Sequence, residues 1–229
     1  MDLRHAARTE LTALLGRGRG KQLAAIAGGW GLLLGTRMIY PVLLPALRES
    51  FDLSLTIAGL LVTILWLGSA LGQLPGGILA DRYSERLVMT AGVLVVVIAL
   101  ALVVTASSAL VLFLATGFVG VGQSLYPIAR ITILADIYPG RIGSALGVTM
   151  ATGDLGQTVL PPVAGMVAAT LAWQAGLGFV IPVLVVVAAS LWVVLPVQSQ
   201  PDASRVPLEM ETVHAVVEEF RRSNLAFVS

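Results

Sequence analysis

Residues Val93 to Val104 read VLVVVIALALVV, an unbroken apolar run with no polar face at either helical or strand period. A half-buried strand would alternate, and a surface helix would show polar residues every third or fourth place. This stretch does neither, so it is apolar all round and needs apolar surroundings on every side. It lies inside a longer run, Leu87–Ser107, that reaches the roughly 20 residues needed to cross a bilayer. Runs of the same kind recur at Gln22–Leu47, Leu55–Ala80, Ala109–Ala135, Ile142–Leu171 and Gly176–Pro196. Backbone inside lipid must satisfy its own hydrogen bonds, and the runs are too long and too uniform for barrel strands. The expected fold is all-α and membrane-spanning, with six helices over residues 22–197.

Composition agrees. Of 229 residues, 57% are hydrophobic and 12% are charged, about half the charged share of an ordinary soluble domain. Mean hydropathy is +0.91. A globule of this size cannot hide that much apolar surface from water. Scarce charge excludes a disordered tail and a basic nucleic-acid binder, so the expected partner is the lipid bilayer. With Cys 0, disulfides and thiolate metal sites are excluded.

Orientation is read from Lys and Arg. With the N-terminus in the cytoplasm, 12 of the 14 basic residues fall on that side, among them Lys21, Arg82, Arg86, Arg130 and Arg141. Arg48 lies outside and Arg37 within the first span. That bias predicts a multi-pass protein of the cell membrane with both termini cytoplasmic. Residues 1–21 form an N-terminal arm, expected at the membrane surface and not read as a cleavable signal. Residues 198–224 read as a polar cytoplasmic linker, and 225–229 as the start of a further apolar run.

The helices carry an internal echo. Tyr40-Pro41 and Tyr126-Pro127 lie 86 residues apart, and Gln73 and Gln157 of two Leu-Gly-Gln triplets lie 84 apart. Two coincidences at nearly one offset predict a duplicated three-helix unit, whose second copy is inverted because three is odd. Inverted three-plus-three repeats with Pro- or Gly-interrupted helices mark transporters, with the substrate site near the midplane. Gly68, Gly72 and Gly76, and likewise Gly143 and Gly147, are spaced for close helix packing.

Ionisable groups inside spans are costly and are functional candidates by default. Arg37 lies deep in the first helix and would attract an anion: a carboxylate, a phosphate, or a carboxylate of the protein itself. Asp154 in the fifth helix is a candidate for that partner, for a proton carrier or for a cation ligand. Arg130 either snorkels to the interface or lines a cavity. Tyr40, Gln123, Tyr126 and Gln157 complete a set of hydrogen-bonding groups for a polar solute. Helices three and six look peripheral. Enzyme readings fail: His5 and His214 are isolated, and no carboxylate pair, Ser/His/Asp set or intramembrane HExxH occurs. No cofactor is expected, and coupling to a proton or ion gradient is left open.

The turn after the second helix reads Gly77-Ile-Leu79-Ala-Asp81-Arg82-Tyr-Ser84-Glu85-Arg86. It resembles the signature loop of the major facilitator superfamily, G-x-L-a-D-r-x-G-r-k. Gly77, Leu79, Asp81, Arg82 and Arg86 match, while Ser84 replaces the turn glycine and Glu85 a basic residue. Tyr138-Pro139 with Arg141, Pro161-Pro162 with Gly165, and Trp173-Gln174 look like the same family. The resemblance spans roughly residues 25–197 and implies half of a twelve-helix transporter that works by alternating access, with the missing C-terminal half or a second copy as partner. It implies a gating loop at Gly77, Asp81, Arg82 and Arg86 that latches the cytoplasmic side. Thr116 stands where proton-coupled exporters often carry arginine. Arg37 with Pro45, and Tyr126-Pro127 with Arg130, resemble the organophosphate and organic-anion branch, which implies a small anionic substrate held by Arg37. The competing expectation is a truncated or half-size protein of this kind that does not transport by itself and serves as an assembly or receptor-like subunit.

Overall fold

A computed structural model describes Gly16 and residues 19–196; at residues 74, 75, 80 and 81 it describes the backbone alone. The arm before residue 16, the linker and the final apolar run lie outside the described residues. Eight helical segments follow one another: α1 Arg19–Ser50, α2 Leu55–Arg82, α3 Glu85–Val104, α4 Ala109–Ser124, α5 Tyr126–Ile137, α6 Ile142–Thr170, α7 Trp173–Gly178 and α8 Val180–Val194. No strand occurs among the described residues.

Serine starts three of these helices. Ser54, Ser84 and Ser108 each turn a hydroxyl toward the backbone N–H three residues on, at 3.3–3.4 Å, satisfying a donor the helix cannot satisfy itself. Ser84 has extended backbone, φ −66° and ψ 140°, so the turn needs no glycine there. Glu85 then sits in the first turn of α3, where a carboxylate suits the helix dipole.

Two of the expected single helices are interrupted. The run Ala109–Ile137 breaks at Leu125, because Pro127 has no N–H for the ladder and restricts the residue before it. The run Trp173–Val194 breaks at Phe179. Counted as continuous runs, five described segments are long and apolar enough to cross a membrane: Arg19–Ser50, Leu55–Gln73, Glu85–Val104, Ala109–Ile137 and Trp173–Val194. Helix α6, with 29 residues, has the length but falls below that hydropathy, because Gly, Thr, Asp154 and Gln157 dilute its apolar residues.

Packing is organised by two close crossings, α1 against α6 and α2 against α4, with α3 lying on α4 and α8. Glycine permits both crossings. A Cβ at Gly31 would lie 2.6 Å from Thr152 O, and one at Gly156 would overlap Gly31 O. At the other crossing a Cβ on Gly68 would overlap Gly117 O, and one on Gly120 would overlap Leu65 O. Gly72 and Gly76 pack against Ser124 as their spacing implied. Gly143 and Gly147 do not follow: among the described residues a Cβ on either would meet nothing within 4 Å, and the tightest glycine contacts of α6 are at Gly153 and Gly156. Outward residues such as Leu110, Leu171 and Val193 are exposed, giving the bundle the apolar skin of a multi-pass membrane protein.

Candidate functional site

Arg37 lies on the inner stretch of α1, half-buried, and three helices hold it. Its Nε donates to Gln123 Oε1 at 2.9 Å and its Nη2 to Ser69 Oγ at 2.9 Å. Both partners are anchored in turn: Gln123 Nε2 donates to Leu33 O at 3.0 Å, and Ser69 Oγ to Gly120 O at 3.1 Å. The guanidinium lies 4.5 Å from the centre of the Trp66 ring, close enough for a cation–π contact. Among the described residues, no carboxylate stands against it. Gln123 and Ser69 are neutral, so they fix the cation without discharging it. They take Nε and one hydrogen of Nη2. Among the described residues Nη1 has no hydrogen-bond partner, and its donors are of the kind that meet a carboxylate or phosphate.

Arg130, on α5, has a different setting. It is only 2% exposed, so it neither snorkels to the interface nor lines a cavity here. Its Nη1 donates to the Thr149 hydroxyl, and its guanidinium stacks 4.0 Å above the Trp30 ring. Trp30 is also stacked on Tyr126 with ring centroids 6.3 Å apart, and the Tyr126 hydroxyl donates to Ile26 O at 2.8 Å. These contacts pin α1, α5 and α6 together. Arg130 Nε and Trp30 Nε1 are buried and unpartnered.

Tyr40 is also enclosed. Its hydroxyl faces Thr116, yet both hydroxyls are buried without a well-aligned hydrogen bond. Asp154 does not neutralise Arg37. It is exposed on α6, and the hydrogen bond there goes to its backbone oxygen, from Thr158 Oγ1 at 2.7 Å. The cause is geometric: α1 meets α6 through Trp30, Gly31 and Gly35, while Arg37 turns toward α2 and α4. Gln157 is half-buried and stays outside the Arg37 cluster. The structure therefore joins Arg37 with Gln123, and Arg130 with Tyr126, but does not gather all seven expected residues into one site.

Ser69, Trp66, Trp30 and Thr149 were missed. Ser69 falls inside the Gly68–Gly72 stripe, which reads as pure packing, and a lone tryptophan in a span reads as core. On the signature turn, Gly77 is half-buried, Arg82 is exposed, and the side chain of Asp81 lies outside the described residues. Arg86 leans on α8: it lies 4.1 Å from the Trp192 ring centre, with Nη1 3.5 Å from Leu195 O.

Fold and site together define a polytopic helical membrane protein with a fixed cation inside a span that no described carboxylate neutralises. The chain belongs to the Major Facilitator Superfamily, whose family model matches residues 25–229. It is similar to a hexuronate transporter of Bacillus subtilis (strain 168), 26% identical over 153 residues, covering 66% of this chain and 35% of the relative. In fold it is similar to the peptide transporter POT solved with sulfate, with TM-score 0.70 and 16% identity over 92% of this chain and 45% of that one. A likeness to tetrameric PepTSo2 has TM-score 0.67 at 17% identity, over 90% of this chain and 47% of that one. The chain thus spans about a third of the curated relative and just under half of these solved chains.

Proposed function

We propose that this chain forms one six-helix half of a secondary transporter that moves a small organic anion by alternating access, with Arg37 as the anion receptor. The observation that carries the reading is the Arg37 setting: a cation deep in a span, held by neutral groups, with Nη1 free of any described partner. Such a cation is costly in lipid unless it is hydrated or paired, and an arriving anion supplies the pair. Trp66, exposed beside it, offers an apolar wall for the rest of the solute. The likeness to a hexuronate transporter makes a sugar carboxylate the first ligand to try.

Placement of neighbours at fixed offsets supports the inverted repeat and α6 as a sixth span. Arg37 and Gln123, hydrogen-bonded to each other, are 86 residues apart, the offset of the two Tyr-Pro pairs. The same offset relates Trp30 to Thr116 and Tyr40 to Tyr126, so the Tyr126–Trp30 contact is the counterpart of the Tyr40–Thr116 contact. It also relates Gly31 to Gly117, while an offset of 84 relates Thr152 to Gly68, so the α1–α6 crossing maps onto the α4–α2 crossing.

In this reading a second six-helix unit, in the same polypeptide or in another copy, closes the cavity over Arg37, Gln123 and Gln157. Asp154, an exposed carboxylate on α6, is the group to carry a coupling proton or ion, because neither partner of Arg37 titrates. Arg130 and Tyr126 position α1 instead of touching solute. Gly77, Asp81, Arg82 and Arg86 form the cytoplasmic latch, with both termini on that side. The test is uptake of labelled glucuronate by cells expressing the whole protein. Glucose should not be taken up. Arg37→Ala should abolish glucuronate uptake at equal membrane abundance, and Arg37→Lys should restore a minor part, since a point charge lacks the planar fork. Unchanged uptake in Arg37→Ala would refute the assignment.

A further inference from the structure

Helices α3 and α8 leave between them an outward-facing groove of about 470 Å³. Its length is apolar: Ala91 and Leu94 from α3 face Val185, Ala188 and Ala189 from α8. Its polar lining residue, Thr90, sits at one end, with a cation beyond it. Thr90, only 6% exposed, lines the groove with a hydroxyl that has no hydrogen-bond partner. One turn closer to the α2–α3 turn, on the same face of α3, stands Arg86. Its guanidinium lies against Trp192, which also lines the groove, and its Nε is buried without a partner. The contacts of Arg86 are Trp192 and Leu195 O, so among the described residues no carboxylate neutralises it. The neighbouring Glu85 is buried with a partner of its own, and Arg82 adds a second exposed positive charge nearby.

We propose that this groove binds one anionic phospholipid, with the phosphate on Arg86, a glycerol ester oxygen accepting from the Thr90 hydroxyl, and an acyl chain along Ala91, Leu94 and Val185. Charge and spacing carry the assignment. Residues four apart on a helix lie one above the other, separated by about 6 Å of axial rise, the scale of the step from a lipid phosphate to its ester carbonyl. A neutral lipid would fill the apolar length but offer Arg86 no anion, and a zwitterionic lipid would offer a phosphate but bring an ammonium group beside Arg86 and Arg82. A soluble phosphate would meet Arg86 but leave the groove and Thr90 unused. Trp192 at the mouth has the amphipathic ring that favours the headgroup level. The site lies on the periphery of the bundle, away from Arg37, and is independent of the substrate reading.

Native mass spectrometry of the whole protein, released from micelles holding equal phosphatidylglycerol and phosphatidylcholine, reads the site directly. The wild type should retain one phosphatidylglycerol in about fivefold preference, the effect of one arginine at an anionic surface. Arg86→Gln should bring the ratio to about parity, and Thr90→Val should reduce total retention of both lipids by about twofold. Excess glycerol phosphate should not displace the bound lipid. Parity in the wild type, an unchanged ratio in Arg86→Gln, or displacement by glycerol phosphate would each overturn the proposal. If Arg86→Gln does not survive purification, the wild-type ratio and Thr90→Val decide it.

Discussion

Arg37 and Arg130 are two buried-span arginines built from the same parts and put to different ends. Each lies against a tryptophan, at 4.5 Å for Arg37 and 4.0 Å for Arg130, and each donates to a hydroxyl, of Ser69 or Thr149. Neither faces a carboxylate among the described residues. The difference is access. Arg130 is closed in by Trp30 and Thr149, so its charge is met by a ring and a hydroxyl and serves packing. Arg37 is half-buried and keeps Nη1 free among the described residues, with an exposed Trp66 beside it. In the proposed reading, a buried cation alone does not mark a ligand site; a cation that neutral groups have aimed does.

The largest expected contrast is in what each alanine substitution breaks. Arg37→Ala should weaken binding of a sugar carboxylate by at least about a hundredfold, roughly 3 kcal/mol for a lost desolvated charge contact, with melting temperature nearly unchanged. Arg130→Ala should do the reverse, lowering stability by about 2–3 kcal/mol through lost packing and lost cation–π contact. Isothermal binding and thermal melts on the same preparations separate the two. If both variants lost stability alike, the two sites would not differ in kind.

A second contrast is smaller. Arg130→Met replaces a buried cation with an apolar chain of similar length and should be neutral or stabilising by about 1 kcal/mol, whereas Arg37→Met should still abolish anion binding. A large loss of stability in Arg130→Met would mean that its charge, and not its shape, holds α5 to α1. The smallest contrast lies in the paired tyrosines. Tyr126→Phe removes a hydrogen bond to Ile26 O and should cost about 1 kcal/mol, while Tyr40→Phe deletes an unpartnered hydroxyl and should cost about zero. Chemical or thermal unfolding of the two variants side by side measures this, and equal costs would show that Tyr40 is better satisfied than its geometry indicates.

The fold was legible because its signals are long. Apolar runs such as Leu87–Ser107 fix helix type. What was lost were breaks within runs: Pro127 was visible, but proline is also tolerated inside α1 at Pro41 and Pro45 and inside α6 at Pro161 and Pro162, so position alone could not say which would interrupt. Arg37 was legible as a candidate because charge in a span is rare. Its partners were not, since which face of α4 or α2 meets α1 depends on glycine contacts that only the packed bundle defines. That is why Asp154 reads from sequence as the counter-charge, while Ser69 is hidden in a small-residue stripe. Gly143 and Gly147 teach the converse, that correct spacing for packing does not guarantee a neighbour.

The central claim is that Arg37 is an open anion receptor because neutral groups hold it. The direct test is glucuronate binding to the whole protein carrying Gln123→Glu, which places a carboxylate against Arg37 Nε without removing the arginine. The account predicts at least a tenfold loss of affinity, about 1.4 kcal/mol, in a protein that still folds, the new ion pair offsetting the lost donation to Leu33 O, and an Asp154→Asn control that binds normally. Unchanged affinity in Gln123→Glu, or loss of binding in Asp154→Asn equal to that in Arg37→Ala, would contradict it.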